Sequence, residues 1–201
     1  MTEKIPPILR HVPEELIGER VLVRSWREGD APAVWEAIEE SREQIRQWLP
    51  WVYGTKRVED CIQTGRRSMA KWITREDLML TIWDRSSGRY LGGSGLHRID
   101  WDVPAFEIGY WLRVSAQGQG YMTEAVALIR RMAFEDLGAN RVTIHCSSGN
   151  ERSAAVARRL GFAHEGTLRN DARETDGELR DTLIFAMTPD DYACCSTPEV
   201  A

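Results

Sequence analysis

The chain of 201 residues contains no apolar run approaching the roughly 20 residues a membrane-spanning helix needs, so a helical membrane protein is excluded and a soluble one expected. Its first 15 residues, MTEKIPPILRHVPEE, have no apolar signal core, and a cytoplasmic location follows by default. There are only four cysteines. Cys61 and Cys146 stand alone, and a bridge between the neighbours Cys194 and Cys195 would be strained, so free thiols are expected in place of a disulfide framework. Basic charge is not in excess either: Lys and Arg number 26 against 31 Asp and Glu, a net charge of −5. That balance argues against a nucleic-acid partner, because nucleic-acid binders carry basic patches that release counterions. His97, His145 and His164 lack the spacing of metal ligands, so no metal is expected. Repeats, low-complexity segments and linkers are missing, which leaves one domain over residues 1–201, with about 10–20 N-terminal residues and the last ~10 peripheral.

What is present reads as an α+β domain. Residues 20–26 (RVLVRSW) alternate like a strand, and Gly29-Asp30 opens a helix with Ala33, Val34, Ala37 and Ile38 on one face. A second short helix is expected to end in Trp48-Leu49-Pro50-Trp51, and another to cover 57–73. Segments 78–84, 89–99 and 106–112 form an antiparallel meander. Met122, Ala125, Val126, Ile129, Ala133 and Leu137 then recur at helical steps, closed by Gly138, before a strand at 141–147. Strand, helix and strand across 106–147 make a crossover unit with parallel strands. Asn150 caps the next helix, Leu160-Gly161 ends it, and strands follow near 162–168 and 180–187. The expected sheet is mixed and mostly antiparallel, of about seven strands flanked by about four helices.

Gln117-Gly118-Gln119-Gly120-Tyr121-Met122 falls between a strand and a helix. Helix-initial N–H groups lack internal partners, and glycines let the backbone approach phosphate oxygens, so a diphosphate fits there as well as a tight turn does. The absence of Gly-Lys-Ser/Thr excludes a nucleotide-hydrolase loop, and the preceding antiparallel meander disfavours a nicotinamide site. Two acidic clusters, Glu36, Glu39, Glu40 and Glu43, and then Asp171, Glu174, Asp176, Glu178 and Asp181, read either as solvated faces or as an attraction for a cationic substrate.

These pieces together resemble the GNAT superfamily of N-acetyltransferases, in particular its ribosomal-protein N-terminal acetyltransferase branch, over most of the chain. The family loop is Gln/Arg-x-x-Gly-x-Gly/Ala; Gln117 and Gly120 match, while Met122 departs at the last position yet still supplies an N–H. Glu107-Ile108-Gly109-Tyr110-Trp111-Leu112, Asn150-x-x-Ser153, Leu160-Gly161-Phe162 and Glu165 to Arg169 extend the likeness, and Trp48-Leu49-Pro50-Trp51 resembles the acceptor loop of the branch.

The resemblance implies acetyl-coenzyme A as co-substrate, bound in a V-shaped cleft between splayed strands. Gln117, Gly118, Gln119, Gly120, Tyr121, Met122 and Thr123 would hold the diphosphate. Tyr110, Leu112 and Asn150 would take the pantetheine arm, and Ser153 would aim at the leaving sulfur. Asn150 reads equally as a helix cap. Glu107 is the first candidate for general base; in some members of the branch the base comes from a later loop, whose position falls at Ala172, flanked by Asp171 and Glu174. Trp48 and Trp51 would line the acceptor groove, or else pack the helix beneath them. Cys146 alternates with Ile144 and reads as a core residue, so no acyl-enzyme is expected. The acceptor implied is the N-terminal amine of a protein, possibly ribosomal, with a small amine or a non-catalytic acyl-coenzyme A sensor as alternatives, and the protein is expected as a monomer or homodimer.

Overall fold

The computed structural model describes residues 5–175 and 177–196. Alternating apolar residues produce eight strands: β1 (Glu15–Ile17), β2 (Val21–Ser25), β3 (Leu78–Asp84), β4 (Tyr90–Asp100), β5 (Ala105–Leu112), β6 (Arg141–Ser147), β7 (Ala163–Arg173) and β8 (Leu179–Met187). They form one sheet in the order β1-β2-β3-β4-β5-β6-β8-β7. Every pairing is antiparallel except β5 with β6. The helices are α1 (Ala31–Ile45), α2 (Val58–Thr74), α3 (Tyr121–Arg131), α4 (Glu151–Arg159) and α5 (Pro189–Ser196).

One face of the sheet is closed by α3 and α4, whose Ala125, Val126, Ile129, Ala154 and Ala157 are buried with Phe106, Ile108, Val142 and Ile144 of the central strands. On the other face α1 buries Val34, Ala37 and Ile38 in a second cluster with Trp26 and Tyr90. That cover reaches only the β2–β5 half, so the opposite face of β6, β8 and β7 is left more open. The geometry of the site depends on this asymmetry.

The α+β sheet matches the sequence expectation, with differences in detail. β1 is an additional strand, held by pairing with β2 and by burial of Leu16. The short helix expected to end at Trp48–Trp51 is absent as a separate helix: α1 runs on to Ile45, and Pro50–Tyr53 makes a 3-10 turn. The periodic segment from Met122 to Leu137 is α-helical to Arg131 and then widens into a π-helical turn at Met132–Asp136. α5 was not foreseen. Its Tyr192 stacks on Phe134 with centroids 4.7 Å apart and donates a hydrogen bond to Glu135, which ties the C-terminal segment to the body. Residues 197–201 lie outside the described residues.

β4 and β5 pack too closely to admit a side chain at Gly92, where a Cβ would stand 2.1 Å from the carbonyl oxygen of Trp111 and 2.9 Å from Cα of Leu112. Backbone atoms in a central strand pair cannot step aside. Gly92→Ala is expected to destabilise the fold by about 3 kcal/mol, lowering the melting temperature by roughly 6–12 °C in a calorimetric scan.

Candidate active site

β5 and β6 pair only at Ala105–Arg141, Phe106–Val142 and Glu107–Thr143. Beyond Glu107 the two strands part, although β5 continues to Leu112 and β6 to Ser147, pairing with β4 and β8 on their outer edges. A V-shaped opening results. Tyr110 crosses it: its hydroxyl donates to the Ser153 carbonyl at 2.9 Å and accepts from the Ser153 hydroxyl at 3.1 Å. Burial pushes the Tyr110 phenol above its ordinary pKa, so it stays protonated as a donor. Asn150 caps α4, its side chain accepting from Ser153 N–H at 3.1 Å.

The loop entering α3 stands at the wide end. Gly118 (φ 75°) and Gly120 (φ 83°) both take left-handed backbone, which costs an L-residue about 1–2 kcal/mol and explains glycine at these two places. Gly120 N-caps α3, and no protein acceptor meets the N–H groups of Gly120, Tyr121, Met122 or Thr123 among the described residues. Four neighbouring donors at the positive end of a helix dipole form an anion cradle. They open into a cleft of about 1930 Å³ lined also by Tyr110, Asn150, Ser153 and the cations Arg131, Arg152 and Arg159.

The side chains of this loop do something other than face a ligand. Met122 is buried in the core, and the Tyr121 hydroxyl donates to Asp84 at 3.1 Å, so each offers the cleft its backbone N–H. Gln117 bridges the opening from within: its Nε2 donates to the Leu112 carbonyl at 3.1 Å and its Oε1 accepts from Arg152 at 2.8 Å. Nothing along the chain signals the clamp behind the loop. Arg20 donates to the Gln119 carbonyl at 2.8 Å and to Glu124 at 3.0 Å, while Glu124 accepts the backbone N–H of Arg20 and Val21, drawing the start of α3 onto β2.

The opposite face of the V carries the remaining candidates. Glu107 is not a lone carboxylate: one of its oxygens lies 3.3 Å from His145 Nδ1 and 3.3 Å from an Arg98 nitrogen. Glu174 is carried across by the β7–β8 connection to accept from the Ser147 hydroxyl at 2.6 Å, at the far end of β6. Asp171 is exposed on β7, in the irregular stretch between Leu168 and Ala172. Asp176 lies outside the described residues. Trp48 overhangs the mouth of the V, its ring 3.6 Å from where a Cβ on Gly149 would sit, and Trp51 meets Trp111 edge-on at 5.8 Å. The first acidic cluster is largely consumed by ion pairs, Glu36 and Glu40 with Arg113, Glu39 with Arg42 and Glu43 with Arg46. Cys146 is buried, and burial pushes its thiol pKa up, away from the thiolate a nucleophile needs. Among the described residues no cluster of His, Cys, Asp or Glu has the geometry of a metal site, and no helix is long and apolar enough to cross a membrane.

Comparison with known proteins agrees with this architecture. Residues 20–163 match the family described as acetyltransferase (GNAT) domain. The chain is 31% identical over 176 residues to YdaF of Bacillus subtilis (strain 168), provisionally named a ribosomal N-acetyltransferase, covering 85% of this chain and 92% of that one. It is 28% identical over 154 residues to the ribosomal-protein-serine acetyltransferase of Escherichia coli (strain K12), covering 76% and 84%. The fold superposes with a TM-score of 0.83, at 23% identity, on RimL, a ribosomal L7/L12 alpha-N-protein acetyltransferase solved in complex with coenzyme A, covering 89% of this chain and 99% of that one. A family match over most of the chain, on a sheet that splays beside a helix with open N–H donors, makes this protein a member of the GNAT acetyltransferase family.

Proposed function

We propose that the protein transfers acetyl from acetyl-coenzyme A to the N-terminal α-amine of a ribosomal protein, by direct attack. The observation that carries the reading is the row of open N–H donors from Gly120 to Thr123, facing a cleft large enough for a nucleotide and its arm. These donors fit a diphosphate, with Gly118 leaving the approach open and Gln117 and Gln119 holding the loop through their own side-chain hydrogen bonds. The β5 edge at Tyr110 and Leu112, unpaired towards β6, receives the amides of the pantetheine arm, together with Asn150. When bound, acetyl-coenzyme A supplies a thioester carbonyl and a good leaving thiol.

The protein supplies orientation and proton handling. Tyr110 holds the Ser153 hydroxyl at the V, and on turning from Tyr110 to the bound thioester that hydroxyl donates to the departing sulfur. Trp48 and Trp51, beside Trp111, give an extended acceptor an apolar wall. An α-amine has a reference pKa of about 7.7–8.0 against about 10.4 for lysine, a difference of roughly 3.4 kcal/mol in the cost of the neutral nucleophile, so a modest base on the Glu107 face suffices. The names of the two relatives point to ribosomal acceptors, and the overhanging tryptophan loop favours a peptide over a small amine.

Cell peptides and small amines incubated with the protein and isotope-labelled acetyl-coenzyme A, then read by mass spectrometry, test this. Label is expected on N-terminal α-amines of ribosomal proteins. Label confined to polyamines, antibiotics or amino acids would replace the acceptor, and no label on any amine would leave a coenzyme A sensor.

A further inference from the structure

The strands close at Glu107 and Thr143, so a group inserted into the V stops just above that pair. On the face away from α3 and α4, the first residue above the closure on β5 is Gly109, which has no side chain. On β6 it is His145, two residues beyond Thr143 and therefore on the same face. His145 is thus the first side chain on this face to flank the gap above its foot. Its Nδ1 lies 3.3 Å from Glu107, leaving Nε2 as the free ring nitrogen. Glu107 sits deeper, its side chain 18% exposed against 27% for His145, and Arg98 holds the same carboxylate oxygen. That oxygen of Glu107 is therefore taken up by two neighbours, whereas the outer ring nitrogen of His145 has no protein partner among the described residues.

We propose that His145 takes the proton from the attacking amine and that Glu107 is its positioning residue. This rests on the acetyl-transfer reading above and differs from the sequence expectation, which put the base first at Glu107. The amine nitrogen forms the new C–N bond as one of its N–H protons passes to Nε2 of His145. The C–S electron pair leaves on sulfur, and the imidazolium returns its proton through solvent to the thiolate, so the enzyme ends as it began.

Other charged or titratable groups on this face have fixed partners. His97 Nδ1 is bound to Asp77 at 2.8 Å, and its ring covers Gly95 and Gly109. Glu174 is on Ser147, Arg180 donates to Thr182 at 3.1 Å, and Ile184 stands opposite His145 on β8.

The test uses the full chain with peptides bearing free serine or alanine N-termini, following thiol release across pH 5.5–9.5, a range spanning imidazole and α-amine titration. His145→Asn is expected to lower kcat by about 10²-fold or more at neutral pH, to erase the acid limb of the pH profile and to change the coenzyme A Kd less than about twofold. Glu107→Gln is expected to cost about tenfold in kcat and to keep the acid limb, because the imidazole that produces it is still present. In the protein without ligand, the NMR signals of the His145 ring should change in Glu107→Gln and stay put in His97→Asn. His145→Asn with kcat within threefold of wild type overturns the assignment, as does an acid limb that disappears with Glu107→Gln or His97→Asn but survives His145→Asn. Wild-type protein that binds coenzyme A yet acetylates none of the peptides refutes the acetyl-transfer reading itself, a result distinct from either variant outcome.

Discussion

Thr123→Glu is expected to reduce coenzyme A affinity by about 10²-fold or more while leaving the melting temperature unchanged or slightly raised. Thr123 is in the first turn of α3, lines the cleft, and its N–H is one of the open donors. An acidic side chain there complements the helix dipole, a gain of about 0.3–1 kcal/mol for the free protein. The same carboxylate stands where a diphosphate has to enter, and like charges brought together in a cleft cost several kcal/mol. Binding and folding therefore move in opposite directions, a pairing that general damage cannot imitate. Calorimetry with coenzyme A, beside a thermal melt, reads both. If affinity holds in Thr123→Glu, the donors from Gly120 to Thr123 are not the anion site and the functional reading falls with them.

The second large effect is on stability. Arg113, 2% exposed, closes β5 and donates to Glu40, Glu36 and the Tyr90 carbonyl, so that α1 is bolted to the strand leading into the loop. Arg113→Met is expected to destabilise the protein by about 3 kcal/mol, since Glu36 and Glu40 lose their shared guanidinium and the Tyr90 carbonyl loses that donor. The pH dependence supplies an independent check. Hydrogen bonds from Arg113 and Ser115 lower Glu40 from an ordinary value of 4.5 to about 2. Its folded-state pKa is depressed, so the stabilisation is complete above about pH 4.5 and is lost as the pH falls towards 2. With the Glu40 side chain 26% exposed, water screens part of the gain, which leaves about 2 kcal/mol across that window. Denaturant titrations should show wild-type stability falling more steeply through this window than that of Arg113→Met, in which Glu40 keeps Arg89 and Ser115 and the other lowered carboxylates still titrate.

Much of the fold was legible because its signals are local. The strands at Leu78–Asp84 and Arg141–Ser147 follow from alternation bounded by turns, and α3 and α4 from apolar spacing with a glycine and an asparagine cap. What escaped is weak locally. β1 has three residues and exists through its pairing with β2; α5 is fixed by Tyr192 stacking on Phe134, 58 positions earlier in the chain. The supposed helix ending at Trp51 failed because the Pro50 ring forbids its continuation from Leu49, and the chain turns instead.

The site divides the same way. By itself the sequence determined a glycine turn opening an amphipathic helix, since glycine permits the left-handed backbone there and the first N–H groups of any helix lack internal partners. It determined as well that the strands on either side of that helix would lie parallel. Only the tertiary structure decided which groups meet there. Glu107 and His145 are 38 residues apart, Ser147 and Glu174 are 27, and Arg20 and Glu124 are 104, and each pair meets because sheet order and register carry it there. What a group can do depends on its neighbours in space, and the carboxylate that reads as a lone base along the chain meets both Arg98 and His145 in the fold.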